Sequence, residues 1–260
     1  MTGPAVGLPR GMVPILKPQP GVCRVCRQWS GRYPTCWACR ENCEALGLNA
    51  APVLPMALAV KAESLASALW EYKDAAGEVA TYARGQLMAL TSAFMPHHER
   101  CLAAAHGCAA FDIITYVPSS RGRPGNHPVR GLLAEVEWSR ARLEDLLVVN
   151  NLDVPAHKPA HDKFRVVEDV SRYTVLLVDD TWTRGANALS AVTALRAAGA
   201  SRVGVAVIGR HVDDAFQDSH VYSDEARRIG FDARYCALCD PRPVADPPLP
   251  LRVASRQAGA

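Results

Sequence analysis

Two adjacent aspartates, Asp179 and Asp180, follow an unbroken apolar run and precede a short polar loop. The apolar run, residues 175–178, is typical of a central parallel β-strand, and open α/β sheets bind ligands at the carboxyl ends of such strands. The loop offers backbone amides, the Thr183 hydroxyl and the positive end of the next predicted helix, a combination that suits a phosphate group. A ribose 5-phosphate would use both features, because its vicinal hydroxyls can donate to the carboxylates while its phosphate occupies the loop.

Two glycines agree with this interpretation of the loop. Gly185 allows a close approach of the backbone to a ligand, and Gly199 suits the C-terminal cap of a helix predicted over residues 185–198. The alternative is that the two aspartates are solvated and only cap the helix N-terminus. Capping alone does not require a Thr-x-Gly sequence at this offset, so we favour a ligand site.

A second group of chemically capable residues is a pair of Cys-x-x-Cys motifs, Cys23 with Cys26 and Cys36 with Cys39. Each motif can form a tight knuckle, and two knuckles provide the tetrahedral four-sulfur site that structural Zn²⁺ prefers. Four thiolates leave no open position, so catalytic zinc is excluded there. A segment of this length cannot form its own apolar core, and we therefore expect Zn²⁺ to supply the folding free energy of a small zinc-ribbon module.

The other cysteines leave several alternatives open. Cys43 lies close to the ribbon motifs, and Cys236-x-x-Cys239 near the end of the chain could replace half of the ribbon site. That pair could also form a second site with Cys43 and a histidine, or remain two free thiols. Cys101 and Cys108 lie in apolar helical sequence, and we expect them to be packed side chains.

Length, charge and hydropathy restrict the class of protein. The chain has 260 residues, enough for one main domain and a small appendage, and its net charge of +3 is too small to indicate nucleic-acid binding by itself. No apolar window is long enough to span a membrane. Residues 1–20 are proline-rich and lack the pattern of a signal peptide, so we expect a flexible leader and a cytoplasmic protein.

The elements needed to position these residues alternate between helices and strands, which predicts an α/β fold with a parallel sheet. Helical spacing covers residues 58–94 with a break at Gly77, and Pro96 is expected to end the second helix. Further predicted elements are a helix at 99–108, a strand at 111–118, a helix at 132–146, and strands at 146–149, 173–178 and 202–208. Predicted domains are a leader at 1–20, the zinc ribbon at 21–45, a helical connector at 55–110, a core at 111–240 and a disordered tail at 241–260.

The sequence VLLVDDTWTRGAN resembles the phosphoribosyl-pyrophosphate (PRPP) signature of type I phosphoribosyltransferases. Across roughly residues 23–210, the motifs CRVC…CWAC, WEYKD, YVPSSRGR and the PRPP motif resemble, in order, those of the competence protein F (ComF) branch. This resemblance implies a Rossmann-like phosphoribosyltransferase core behind an N-terminal four-cysteine zinc module. It also implies a link to DNA uptake.

The resemblance assigns roles to particular residues. Asp179 and Asp180 match the ribose-binding acids of the catalytic site. The 5-phosphate loop corresponds to Thr181, Thr183, Arg184, Gly185, Ala186 and Asn187, and the pyrophosphate loop to Ser119, Ser120 and Arg121. Arg184 and Asn187 stand where the family usually has hydroxyl side chains, so Arg184 either adds charge to the phosphate site or fills it.

An active enzyme of this kind would break the C1–pyrophosphate bond of PRPP and attach a nitrogen nucleophile. Mg²⁺ suits the leaving pyrophosphate, and Arg121 with Arg123 would add charge-assisted hydrogen bonds. The polar stretch 150–170 could act as a lid that carries Lys158, Lys163 and Arg165. Candidate general bases, by neighbourhood only, are His127, His157 and His161.

Two other functions fit the same sequence. The chain could also form a homodimer. The same fold could be a non-catalytic module that senses PRPP or a nucleotide and binds a protein partner. Alternatively, the ribbon could bind single-stranded DNA, because basic and aromatic residues alternate in it. These residues are Arg24, Arg27, Trp29, Arg32, Tyr33, Trp37 and Arg40.

Overall fold

A computed structural model describes residues 6–119, 127–216 and 218–241. The helices are α1 (Trp37–Ala45), α2 (Ser64–Asp74), α3 (Gly77–Ala105), α4 (Pro128–Glu135), α5 (Glu137–Arg140), α6 (Ala186–Ala197) and α7 (Ser219–Ile229). The strands are β1 (Leu54–Val60), β2 (Ile113–Tyr116), β3 (Leu147–Val149), β4 (Phe164–Val166), β5 (Thr174–Trp182) and β6 (Arg202–Val212). Within this described part of the chain, no helix is long and apolar enough to cross a membrane.

Four of the strands form a parallel sheet in the order β1-β6-β5-β2, which confirms the predicted α/β fold. Alternate β5 residues enter cores on opposite faces, Leu176 and Val178 on one and Val175 and Leu177 on the other. Helices α2, α3 and α4 cover the first face. Helix α6 covers the second, as expected for a parallel sheet buried on both sides.

The cysteines of the predicted zinc ribbon share the second core with the sheet. Cys23, Cys26 and Cys39 are buried in the same apolar cluster as Trp182 and residues of α6. The ribbon therefore packs directly against the main sheet.

Residues 6–20 differ from the flexible leader that we expected. Val13, Ile15 and Leu16 are buried, and Val13 forms an antiparallel bridge with Leu58. These apolar side chains cover the outer part of β1, so tertiary packing orders a segment whose prolines indicate only the absence of a helix.

Two predictions about the helical connector were wrong. Residues 54–60 form the sheet strand β1, although Leu58 fits a helical pattern, because all seven residues of the strand are buried and a fully apolar run has no diagnostic period. Pro96 does not end a helix, since α3 continues from Gly77 to Ala105 and includes residues 99–105 of the helix predicted at 99–108. Pro96 is exposed, and Met95 and His98 pack into the protein on either side of it.

Candidate functional site

The acidic pair lies at the carboxyl end of β5, beside a cleft of about 700 Å³. Asp179 and Asp180 both border the cleft, although alternation along a strand sends neighbouring side chains to opposite faces. The cleft lies where the parallel strands end, so the structure brings together residues at the carboxyl ends of β1, β2, β5 and β6. The sequence predicted this position for the site.

Asp180 is buried and held by the end of helix α2. The Tyr72 hydroxyl donates a hydrogen bond to Asp180 Oδ2, and the Lys73 ammonium forms an ion pair with the same oxygen. The cation compensates a carboxylate that would otherwise be costly to bury. Sequence reasoning missed both partners, although it singled out the WEYKD motif that contains them.

Asp179 has a different environment from its neighbour. Its Oδ1 accepts a hydrogen bond of 2.9 Å from the backbone amide of Asp180. Burial, together with the nearby Asp180 carboxylate, raises the pKa of Asp179 to about 8. Asp179 therefore keeps its proton at neutral pH and can both donate and accept hydrogen bonds.

The predicted 5-phosphate loop leads directly into helix α6. Gly185 is the N-cap residue with a φ of 80°, and no side chain caps this helix end. A Cβ at Gly185 would lie 2.1 Å from the Trp182 ring, so only glycine fits between the loop and the ring. The amides of the first helical turn are thereby left for another acceptor, as in an anion site.

The loop side chains divide into two groups. Thr181, Thr183 and Asn187 line the cleft, and the Asn187 Oδ1 atom is buried with no hydrogen-bond partner among the described residues. Arg184 is exposed and is not among the residues that line the cleft. Its side chain therefore does not fill the predicted phosphate position, and neither does Ala186, which is buried behind the loop.

Residues that come after strand β2 in the chain form another part of the cleft wall. Ser119 lines the cleft there, whereas Ser120 and Arg121 lie outside the described residues, as does Arg123. His127 also borders the cleft, and its ring stacks on Tyr116 with 4.9 Å between the ring centroids.

Other cleft residues were not identified from the sequence. His211, near the end of β6, lines the cleft. Burial lowers the pKa of this histidine, so its ring is neutral at pH 7. Trp70 borders the cleft with 61% of its surface exposed, which leaves a ring face available to a planar ligand. By contrast, His157 and His161 are exposed outside the cleft lining.

The predicted lid segment is tied down by one of its own lysines. Lys163 is fully buried, and its ammonium donates to the carbonyls of Pro155 and Lys158, each at 2.9 Å. Burial lowers the pKa of Lys163 to about 8. Its charge is therefore not presented to the cleft, and Ala156 is the residue of this segment that reaches the cleft lining.

The four predicted ribbon ligands, which we call the ribbon cluster, do come together. The sulfurs of Cys23, Cys26, Cys36 and Cys39 lie within 4.8 Å of one another, with 3.7 Å between Cys26 and Cys36. Tetrahedral Zn²⁺ with bonds of about 2.3 Å would separate its sulfurs by about 3.8 Å. The cluster therefore fits structural zinc, and Cys43 is buried in the same core but is not one of the four.

The ribbon cluster adjoins the predicted 5-phosphate loop. The Asn42 side chain, on α1, donates a hydrogen bond of 2.8 Å to the Arg184 carbonyl. The buried Arg210 guanidinium lies beside Cys26 and donates to the Trp182 carbonyl at 2.8 Å. The ribbon thus supports the loop from behind.

The C-terminal cysteine pair forms a group that the sequence did not predict. Cys236 and Cys239 lie with Cys101 and His98 of α3, and one ligand atom from each lies within 4.8 Å of all the others. We call this group the C-terminal cluster. The pair lies with neither the ribbon cysteines nor Cys43, but a histidine does join it, as one of the alternatives expected. Cys101 packs against the core that includes α3, as predicted, and its sulfur also faces the C-terminal cysteine pair.

The basic and aromatic residues of the ribbon do not form one surface. Arg27 and Trp29 are buried, because they pack between the ribbon and the rest of the protein. The exposed members are Arg24, Arg32, Tyr33, Trp37 and Arg40. Binding of single-stranded DNA by this reduced set remains a prediction.

Comparisons with known proteins give little further information. No family model matches the chain, and no curated protein matches it. Among solved structures, a match is found to the allosteric regulatory enzyme of purine biosynthesis, at 26% sequence identity over 45% of this chain. The match spans 26% of the length of that enzyme, with a TM-score of 0.28. A TM-score this low does not establish a shared fold, so the α/β assignment rests on the sheet itself.

Proposed function

We propose that the cleft binds PRPP together with Mg²⁺. The observation that carries this proposal is that the acidic pair, Asp179 and Asp180, faces the same cleft as the uncapped N-terminus of α6. Carboxyl groups suit hydroxyls and a helix N-terminus suits a phosphate, so the expected ligand contains both groups.

The proposed pose follows from the cleft walls. The ribose hydroxyls would contact Asp179 and Asp180, and the 5-phosphate would lie at the first turn of α6, beside Thr183 and Asn187. The pyrophosphate would extend towards Ser119, where the adjoining loop with Ser120 and Arg121 is expected to contribute. Lys73 also lines the cleft, and its ammonium would supply positive charge to the bound ligand.

The cleft also fits the requirements of Mg²⁺. Asp74 and Asp180 give it carboxylate oxygens, the hard donors that this cation accepts, and the Asp179 carboxyl would become one by losing its proton. Mg²⁺ usually keeps several waters and is bound by one or two carboxylates together with substrate phosphates. When bound, it would neutralise charge on the leaving pyrophosphate.

In its catalytic form, the proposal is that the protein transfers the phosphoribosyl group to a nitrogen nucleophile. In this form the protein would belong to the ComF branch. His211 is a neutral imidazole at the cleft and is the residue that we propose to accept the proton of the nucleophile. Trp70 would contact a planar acceptor. The non-catalytic alternative is a PRPP sensor, and it is favoured by Arg184 and Asn187, which leave the predicted phosphate loop with two hydroxyl groups fewer than its relatives.

Isothermal titration calorimetry with PRPP and Mg²⁺ tests ligand binding. The wild type should bind, and Asp180→Asn should weaken binding at least about tenfold, since a buried ion-paired carboxylate is removed from the site. Asp169→Asn, at an exposed acid outside the cleft, is the matched control and should bind as the wild type does. The absence of binding by the wild type would exclude the PRPP proposal.

Pyrophosphate release separates the enzyme from the sensor. An active transferase should release pyrophosphate from PRPP when an amine or base acceptor is added, and His211→Gln should reduce that rate by roughly 10²-fold. A sensor would bind PRPP with unchanged affinity in both proteins and release pyrophosphate in neither.

A further inference from the structure

The C-terminal cluster has the geometry of a metal site. The Nδ1 atom of His98 lies 3.4 Å from the Cys239 sulfur and 3.9 Å from the Cys101 sulfur. The sulfurs of Cys236 and Cys239 are 3.4 Å apart. Tetrahedral Zn²⁺ with typical bond lengths would place a nitrogen about 3.6 Å, and a sulfur about 3.8 Å, from each sulfur. The observed separations therefore match a zinc-centred set, and 3.4 Å is far longer than a disulfide bond of about 2.05 Å.

The orientation of His98 points to the same conclusion. Its Nε2 atom lies 2.9 Å from the carbonyl oxygen of Ala233. A carbonyl can only accept, so Nε2 carries the hydrogen and the lone pair of the neutral ring is on Nδ1, which faces the sulfurs. Metal-binding histidines almost always donate their other nitrogen to such an acceptor, which fixes the ring and its tautomer.

The backbone around Cys236 has the form of a zinc knuckle. The amides of Asp240 and Cys239 both donate to the Cys236 carbonyl, at 3.0 and 3.1 Å. The amide of Leu238 points at the Cys236 sulfur from 3.4 Å, and the amide of Cys236 points at the Cys239 sulfur from 3.5 Å. Such hydrogen bonds favour thiolates over thiols.

The two ribbon knuckles repeat one element of this pattern. The amide of Arg27 donates to the Cys23 carbonyl at 3.0 Å, and the amide of Arg40 donates to the Cys36 carbonyl at 3.1 Å. In each Cys-x-x-Cys motif, therefore, the first cysteine accepts a bond from the residue four positions later. The C-terminal motif is built like the two that form the ribbon cluster.

We propose that His98, Cys101, Cys236 and Cys239 bind a second structural Zn²⁺. On binding, the three thiols release their protons and the neutral His98 ring contributes its Nδ1 lone pair, so the site carries a charge of −1. Three thiolates and one histidine complete a tetrahedral shell without an open position, which is typical of structural rather than catalytic zinc.

The role of this zinc is to join the C-terminal segment to helix α3. Helix α7 ends at Ile229, and the described residues that follow it, 230–241, contain no helix or strand. Phe231 and Leu238 pack against the core that includes α3, and Cys236 is buried in it. A metal that crosslinks this segment to residues more than a hundred positions earlier restricts the unfolded chain strongly.

Metal analysis of the full-length protein, purified without chelators, tests the site. We expect about two zinc ions per chain in the wild type and about one in Cys239→Ser, because each four-ligand cluster holds one ion. Cys239 is exposed, so its substitution creates no cavity. Cys108→Ser, at a cysteine outside both clusters, is the matched control and should retain about two ions. A wild type with about one ion that Cys239→Ser does not remove would overturn the proposal.

X-ray absorption at the zinc edge gives a readout that does not depend on stoichiometry. The wild type should show nitrogen as well as sulfur neighbours, whereas Cys239→Ser should show sulfur alone, from the ribbon cluster. Sulfur neighbours alone in the wild type would contradict a histidine-containing site. Oxidation of Cys236 and Cys239 to a disulfide in the freshly isolated protein, seen by mass spectrometry after alkylation, would contradict it as well.

Discussion

The ribbon cluster and the C-terminal cluster have similar donor atoms but different neighbours. The ribbon cluster is surrounded by the core of the sheet and by Arg210, and helix α1 that carries part of it contacts the phosphate loop through Asn42. The C-terminal cluster lies on α3, Cys239 is exposed, and none of its four residues lines the cleft.

This difference indicates that similar metal chemistry serves two purposes in one chain. In the ribbon cluster, the metal would fix the residues that support the predicted phosphate loop. Loss of this metal should therefore weaken ligand binding in the cleft. In the C-terminal cluster, the metal would hold the end of the chain, and its loss should affect stability alone. Ligand affinity and unfolding therefore have to be measured together.

The largest expected effect comes from removing a ligand of each cluster in turn. Cys36→Ser should abolish zinc binding by the ribbon cluster, and we expect it to weaken PRPP binding more than about tenfold because the loop loses its support. Cys239→Ser should lower the melting temperature yet leave the affinity for PRPP within about twofold. Calorimetry and thermal melts monitored by circular dichroism measure both. Equal losses of affinity in the two variants would remove the distinction.

Gly185→Ala should be the next most severe change. It places a Cβ 2.1 Å from the Trp182 ring at a φ of 80°, so we expect a loss of about 2–4 kcal/mol in the free energy of unfolding. Gly107→Ala is the matched control, since Gly107 has a φ of 71° with nothing within 4 Å of its Cβ position. That variant should lose about 1 kcal/mol. Urea titrations compare them, and similar losses would show that the contact with Trp182 does not constrain the loop.

Asn42→Ala tests the contact between the ribbon and the loop with less disruption. It removes the 2.8 Å hydrogen bond to the Arg184 carbonyl, so we expect a loss of about 1 kcal/mol in stability and a reduction of several-fold in PRPP affinity. Asn49→Ala, at an exposed asparagine of the same region, should change neither. If Asn42→Ala left the affinity unchanged, the ribbon would not act on the loop through this bond.

The last expected effect is a pH dependence that originates in the cleft and in neither cluster. Between the ordinary carboxyl pKa of 3.8 and about 8, Asp179 is protonated in the folded protein and ionised in the unfolded chain. The free energy of unfolding therefore falls as pH rises across this window. Asp179→Asn should be more stable than the wild type by about 1–2 kcal/mol near pH 8, with a smaller difference near pH 4. A difference that does not vary with pH would show that the pKa of Asp179 is not raised.

Local patterns were sufficient to predict β5, the loop that follows it, α6 and the ribbon cluster. In each case the signal lies within about twenty residues: an apolar run, two acids, a glycine, or paired cysteines at fixed spacing. Strand β1 was misassigned because a fully buried strand and a buried helix have the same composition. The continuation of α3 past Pro96 depends on packing that no local pattern records.

The parts of the site that were missed depend on contacts between distant residues. His98 and Cys101 lie far from Cys236 and Cys239 in the sequence, and their separation gives no indication of which cysteines will meet. Lys73 reaches Asp180 only because α2 packs beside the end of β5. The conformation of the chain decides these pairings, which is why the number and spacing of cysteines could predict one metal site but not the second.

A crystal structure of the protein with PRPP and Mg²⁺ tests the central claim most directly. We expect the 5-phosphate at the first turn of α6 and the ribose hydroxyls within hydrogen-bond distance of Asp179 and Asp180. Density for PRPP elsewhere, or a cleft that stays free of ligand at saturating concentration, would contradict the account.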